Sequence, residues 1–243
     1  MRFFAWIFAV LVFLGVSAFP AAAQEKELSV EESYLQESVA VSLIREQARS
    51  EDRDGKLLAL DYIKEYMDDG NKTDDVRAVL ESLSLEGNLN KTRSEGRVMN
   101  NFPDIRIRAL EYLGELGTKE ATDSLIKVMF VDDEPAVLTQ AVRSITKIGI
   151  NDQGRPLTII NWIFSRFNAA APDNRLALAF VDAVEAFASS TDGDQEEKLA
   201  RASALETVRN ISANHLYISA VRQRARNVMM KFYKNGADGN SGK

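Results

Sequence analysis

The sequence predicts an all-α fold, a solenoid of stacked helix pairs, and three observations predict it. The stretch Pro103–Gly149 repeats itself: laying Pro103 on Pro135 pairs Ile105 with Val137, Ala109 with Ala141, Leu110 with Val142, Leu113 with Ile145 and Gly117 with Gly149. A period in the low thirties is that of helical repeat arrays. Apolar residues over most of the chain recur at spacings of three and four, as in helices with one buried face. Each copy also carries its own punctuation. A proline starts it, where the missing N–H would have no intrahelical partner, and a glycine stops it.

Residues 1–23 read as a signal peptide. Arg2 supplies the positive charge, Phe3–Val16 is apolar, and Pro20 precedes Ala21-Ala22-Ala23-Gln24, small residues of the kind a signal peptidase reads. The run is short of the roughly 20 apolar residues of a spanning helix; retention as an uncleaved anchor is the other reading. Residues 24–33 form an acidic lead-in expected to be mobile, and the solenoid domain is expected over 34–234. Its first helix, from Ser33, puts Leu35, Val39, Leu43 and Ile44 on one face, as a cap over the first repeat.

Lys56–Tyr66 is a second copy of the repeat helix, with Lys56 lying on Arg106, Ala59 on Ala109 and Tyr62 on Tyr112. Thr73 is the expected N-cap of its partner helix, which packs through Val76, Val79, Leu80 and Leu83. Leu85–Asn101 has few apolar residues and reads as a long solvated connector. The central pair follows, Pro103–Gly117 and then a helix capped by Thr118 with Ala121, Leu125 and Val128 inward, before Asp132-Asp133-Glu134-Pro135 restarts the unit. Leu157–Phe167 is a strongly apolar helix whose main stripe is flanked by Ile159 and Trp162. Pro172-Asp173 opens a looser copy through Leu176, Phe180, Val184 and Phe187. Ser189–Glu197 reads as an acidic loop, Leu199–Ile211 and Leu216–Tyr233 as the last helices, and residues 235–243 as a flexible tail.

The chain has no cysteine, which excludes disulfides, thiol catalysis and a lipid-modified N-terminal cysteine. Its net charge is −6, unevenly spread: Arg201–Lys243 holds 8 basic residues against 2 acidic, while Gln24–Ala200 is acidic. An acidic, exported chain is a poor nucleic-acid binder, so no nucleic-acid partner is expected. The basic end suits an acidic protein, a wall polymer or an anionic membrane surface.

The Pro-Asp start at 103–104, Arg106 and Arg108 ahead of Ala109, the Ala-Leu-x-x-Leu-Gly-x-Leu-Gly core and the Asp-Asp-x-Pro restart carry a family resemblance. Pro103–Gly149 resembles tandem HEAT repeats, especially the short subtype also found in phycobilisome lyase proteins. The likeness is strong there, fair over Lys56–Leu83 and weak beyond Pro172. It implies a right-handed α-α superhelix of antiparallel, HEAT-like helix pairs, an architecture that usually serves as a binding scaffold. Function carried by fold is analogy only. On the curved face of such a stack Arg106, Arg108 and Arg143 are candidates to grip a partner, although in this family such arginines often make internal contacts with acids of adjacent repeats.

Catalytic chemistry has little to draw on. His215 is the only histidine, which removes His-based zinc sites and the paired His-Glu iron motifs of the hydroxylase with this repeat architecture. It reads as a turn or capping residue before the last helix. Asp68-Asp69, Asp74-Asp75 and Asp132-Asp133-Glu134 fall at turns and helix starts, where solvation and the helix dipole account for them. Asp192, Asp194, Glu196 and Glu197 are a fragment of a calcium loop without its turn glycine or distal acid. Gly236–Lys243 fails as a phosphate loop, with Ala237 where a glycine belongs and no Ser or Thr after Lys243. No catalytic, metal or cofactor residue is assigned, and no cofactor is expected.

Two features suit binding. Arg222, Arg224 and Arg226 make the last helix basic, by which it meets an anionic partner or merely faces water. Trp162 either packs between stacked helices or, if exposed, anchors an interface. The expectation is an exported, non-catalytic protein-binding scaffold of the bacterial periplasm, with secretion beyond it also open. Its protein partner and oligomeric state are not set by the sequence. The alternatives are docking on an anionic membrane or wall polymer through the basic helix, and a carboxylate-dependent hydrolase or lyase.

Overall fold

The computed structural model describes residues 30–89, 91–170, 172–188 and 194–238. The expected signal peptide, most of the lead-in, Asp192 of the calcium-like fragment and the end of the tail lie outside them. Contacts divide the chain into Met1–Glu37 and Ser38–Lys243. Of the first unit only the backbone start of one helix is described; the second holds the rest of the fold.

The fold is all-helical. Among the described residues the elements are α1 (Val30–Ala48), α2 (Arg53–Asp68), α3 (Asp74–Ser84), a hairpin of β1 (Arg93–Ser94) and β2 (Arg97–Val98), α4 (Pro103–Leu116), α5 (Lys119–Val131), α6 (Pro135–Ile148), α7 (Arg155–Ala170), α8 (Asn174–Phe187), α9 (Gln195–Ala213) and α10 (Ser219–Asp238). The internal repeat is written into the backbone. Helices α4 and α6 are each 14 residues, each has proline in its first turn, and each ends at a left-handed glycine, Gly117 with φ 72° and Gly149 with φ 71°. A side chain at that φ is strained, so glycine is the residue that lets the chain turn off the helix there.

The threonine caps form as the sequence expects. Thr73 accepts from the Val76 N–H at 3.4 Å and Thr118 from the Ala121 N–H at 3.1 Å, each supplying a partner to a donor the helix itself leaves empty. Asp173 does the same for α8, taking the Arg175 and Leu176 N–H groups.

Packing runs in two series. Helices α2, α4, α6, α8 and α10 touch in succession, as do α3, α5, α7 and α9, and cross-contacts such as α3·α4, α4·α5, α7·α8 and α9·α10 join the two series. The buried faces are those the repeat register marks: Ile105, Ala109, Leu110 and Leu113 on α4, and Val137, Ala141, Val142 and Ile145 on α6. Truncating Leu110 or Leu113 to alanine in such a site costs about 2–5 kcal/mol. The two copies approach closely at Gly114, where an added Cβ would lie 2.8 Å from the Ser144 Cβ. Ser144 also donates to the Leu110 carbonyl at 2.7 Å, tying one copy to the next.

The structure departs from the expected elements in four places. Helix α1 starts at Val30 and buries Val41, Ile44 and Ala48, while Val39 and Leu43 stay exposed; the side chain of Leu35 lies outside the described set. Leu85–Asn101 is more than a solvated connector: Leu85, Glu86 and Asn100 are buried, and the middle forms the hairpin. Asp194 caps α9 through the Glu197 N–H at 2.8 Å, so Glu196 and Glu197 are first-turn residues of a helix that begins at Gln195. Helix α10 continues to Asp238, into residues expected as tail.

Candidate functional site

The seven residues singled out in the sequence do not converge: among the described residues no hydrogen bond, ion pair or ring contact joins any two of them. Each has a different environment, and the environment sorts them.

Arg106 is internal. It is 2% exposed, and its Nε donates to Asp132 Oδ2 at 2.7 Å. Its Nη1 donates to the Glu86 carbonyl at 3.1 Å and to Asn101 Oδ1 at 2.8 Å. Asp132 is equally buried and also accepts from Asn88 and from the Glu134 N–H. This corrects the expectation for both residues: Arg106 has no surface to offer a partner, and Asp132 is an internal counter-ion rather than a solvated turn acid. A buried guanidinium persists only with its charge paired and its donors filled.

A second buried cation completes the cluster. Lys56 donates to the Ala48 carbonyl at 3.2 Å and lies 3.3 Å from Glu86 Oε1, which also accepts from Asn100 at 2.6 Å. Lys56 and Arg106 occupy the same register position in consecutive copies, and both hold Glu86, one by its carboxylate and the other by its carbonyl. The corresponding residue of α6 is Leu138, which is buried and apolar. The two cations thus mark the copies that flank Leu85–Asn101 and anchor its base. The sequence shows that the two share a register position, but nothing local marks either as buried.

Arg108 is half-buried, ion-paired with Asp61 of α2, and donates to the Tyr112 hydroxyl at 2.9 Å. Arg143 is exposed and has no ion-pair partner among the described residues. On α10, Arg224 donates to Asp182 at 2.8 Å and to Glu185, both on α8, and Lys231 lies 3.0 Å from Glu185. Much of the positive charge that the sequence assigns to this helix is therefore spent inside the chain. Arg226 is exposed and donates to Gln223 Oε1 at 2.8 Å, while Arg222 is partly buried.

Trp162 stands apart from the other six. It is 52% exposed, and Phe130 of α5, itself 49% exposed, packs against it with ring centroids 5.7 Å apart. The Arg166 guanidinium lies 6.0 Å from the Trp162 ring centre and 5.5 Å from that of Phe167. It also lies 3.6 Å from Asp133. Cation–π contacts of this kind contribute about 0.5–1 kcal/mol at exposed sites, a few-fold bias toward the observed ring placement. Phe130 is inconspicuous in the sequence because it adjoins the stripe Leu125–Val128–Met129; being apolar and off that stripe is its signal.

His215 is exposed in the turn before α10, as expected. Asp74 pairs with Arg77 at 2.5 Å, and Asp68 with Lys64. Burial pushes the Tyr217 hydroxyl up to about 12, with Asp173 nearby adding to it, and that hydroxyl donates to Asn168. Among the described residues no three His, Asp or Glu side chains come together as a metal site, and no helix is long and apolar enough to cross a membrane.

No family model matches the chain, and no curated protein sequence matches it.

Proposed function

We propose that this chain is a non-catalytic binding scaffold, a right-handed solenoid of HEAT-like helix pairs that holds a partner protein of the bacterial cell envelope. The solenoid reading is supported by the duplicated α4 and α6 and by contacts that run between helices one or two apart in order. The binding reading is carried by one observation, the exposed Phe130–Trp162 pair braced by Arg166. Two large aromatics in mutual contact at the surface, with a cation beside them, form an apolar anchor. Interface energy concentrates in such residues once a partner excludes water from them. The pair bridges α5 and α7, so it exists only while two consecutive repeats are in register.

The test is capture from envelope extracts with the parent chain and with Trp162→Ser and Phe130→Ser, each checked for unchanged circular dichroism. A partner held by the parent and lost by both variants is the expected result; identical capture by all three refutes the site. Export belongs to the same proposal and rests on residues 1–23. Expressed whole in a bacterium, the protein is expected in the periplasmic fraction beginning at Gln24, and recovery from the cytosol with Met1 in place refutes it. Docking on an anionic membrane through α10 is less favoured, because Arg224 and Lys231 are engaged by Asp182 and Glu185.

A further inference from the structure

Among the described residues the helices at the two ends of the chain order, α1–α2 and α9–α10, leave apolar surface uncovered, and the charged residues beside that surface differ in sign. Of the thirteen exposed large hydrophobic side chains among the described residues, nine lie on α1, α2, α9, α10 or the turn before α10. A repeat array needs polar caps at its ends to stay separate. Among the described residues these ends leave apolar positions uncovered, Val39 and Leu43 of α1 being exposed.

At the first end, α1 and α2 enclose an open groove of about 460 Å³ lined by Leu43, Ile44, Tyr62 and Tyr66. Glu65 and Asp69 line it too, both exposed and without an ion-pair partner among the described residues. At the other end, Met230 and Tyr233 are exposed on α10. They follow Arg226 at spacings of four and three, so the three side chains share a face. Arg226 is exposed and has no acidic partner among the described residues.

We propose that copies of this chain associate head to tail, with α10 of one copy seated in the α1–α2 groove of the next. Met230 and Tyr233 enter between Leu43 and Tyr62, and Arg226 meets Glu65 and Asp69. Charge selects this pairing over the symmetric ones. Two grooves facing each other bring their carboxylates together, and two copies of α10 bring their arginines together; both are repulsive. Only the unlike pairing matches apolar surface to apolar surface and cation to anion. Such an interface leaves one free end on each side, so it extends to a ring or a filament rather than stopping at a dimer. The inference rests on the stacked-helix reading, which puts α1–α2 and α9–α10 at opposite ends.

Sedimentation velocity on the purified protein over a concentration series tests it. The expected result is a mass that rises past two copies and falls back at 1 M salt, where the Debye length is about 3 Å. Leu43→Asp and Tyr233→Asp should each be monomeric, with association weakened at least tenfold. Their equimolar mixture should form a one-to-one dimer and stop there, because one intact groove then meets one intact helix. Arg226→Glu should dissociate the parent assembly, and mixing it with Glu65→Lys/Asp69→Lys should restore assembly past two copies, because both contacts are then complementary. A monomer at every concentration, assembly indifferent to these changes, or either aspartate variant still dimerising alone would each overturn the proposal. If instead the two ends adjoin within one chain, Leu43→Asp and Tyr233→Asp will lower thermal stability and leave the mass unchanged, which is failure of the stacked-helix reading itself.

Discussion

Replacing Asp132 by alanine should be among the most damaging single changes in this chain. It leaves the Arg106 guanidinium 2% exposed with its counter-ion gone, and it also strips Asn88 and the Glu134 N–H of their acceptor. Removing one partner of a buried pair costs about 3–5 kcal/mol, because the remaining charge is uncompensated. Against a typical domain stability of about 5–15 kcal/mol, that brings the protein close to unfolding at room temperature. Arg106→Leu installs the residue that α6 carries at the same register position, yet it strands Asp132 instead and should cost about 3 kcal/mol. The double variant Arg106→Leu/Asp132→Ala removes both charges, so its cost should be well below the sum, with a coupling of at least about 2 kcal/mol. Urea unfolding monitored by circular dichroism measures all three. Single variants each losing less than about 1 kcal/mol, or a double variant whose loss equals the sum, would refute the view that pairing sustains these buried charges.

Three other substitutions probe the packing, the caps and the surface charge. Gly114→Ala gains helix propensity but drives a Cβ to 2.8 Å from Ser144, so α4 and α6 must separate; a net loss of about 1–3 kcal/mol is expected, relieved by adding Ser144→Gly, and a stabilised single variant would contradict the close approach. Thr118→Ala removes the α5 cap and should lower stability by about 1 kcal/mol in thermal or urea melts, whereas Thr118→Asp should be near neutral. Hydrogen bonds from Lys231, then from Arg224, hold the Glu185 carboxyl below the usual glutamate range. A depressed folded-state value means stability that is present above the unfolded glutamate range and lost as pH falls through the folded value. Glu185→Gln should therefore cost about 0.5–1 kcal/mol at neutral pH and flatten the acid limb of the stability profile, and an unchanged acid limb would count against the pairing.

The repeat at α4 and α6 is legible in the sequence because three independent signals agree there: the proline, the apolar spacing and the glycine. Thr73 and Thr118 are legible as caps because a hydroxyl just ahead of a helix has one obvious donor to serve. Charge is the poorest guide. Arg106 and Asp132 look like surface residues in a sequence, since nothing local tells that each will find the other across 26 positions. The hairpin escapes a sequence reading because its strands are two residues each, too short for alternation to register. Its turn is the readable part: Glu95 and Gly96 both take positive φ, 49° and 80°, the geometry of a tight two-residue connection. Trp162 and Phe130 are ambiguous because exposure depends on which neighbouring helix arrives, and spacing within one helix does not report that.

That hairpin has a practical consequence. The loop that carries it is anchored at Glu86 by Lys56 of α2 and Arg106 of α4, while at the hairpin's tip a side chain added to Gly96 would meet nothing within 4 Å. Lengthening a flexible loop is cheap, about 0.6 kcal/mol for each doubling. The Glu95–Gly96 junction is therefore a natural grafting point, a short paired stem on which an epitope, fluorophore peptide or second recognition sequence would be displayed away from the helices.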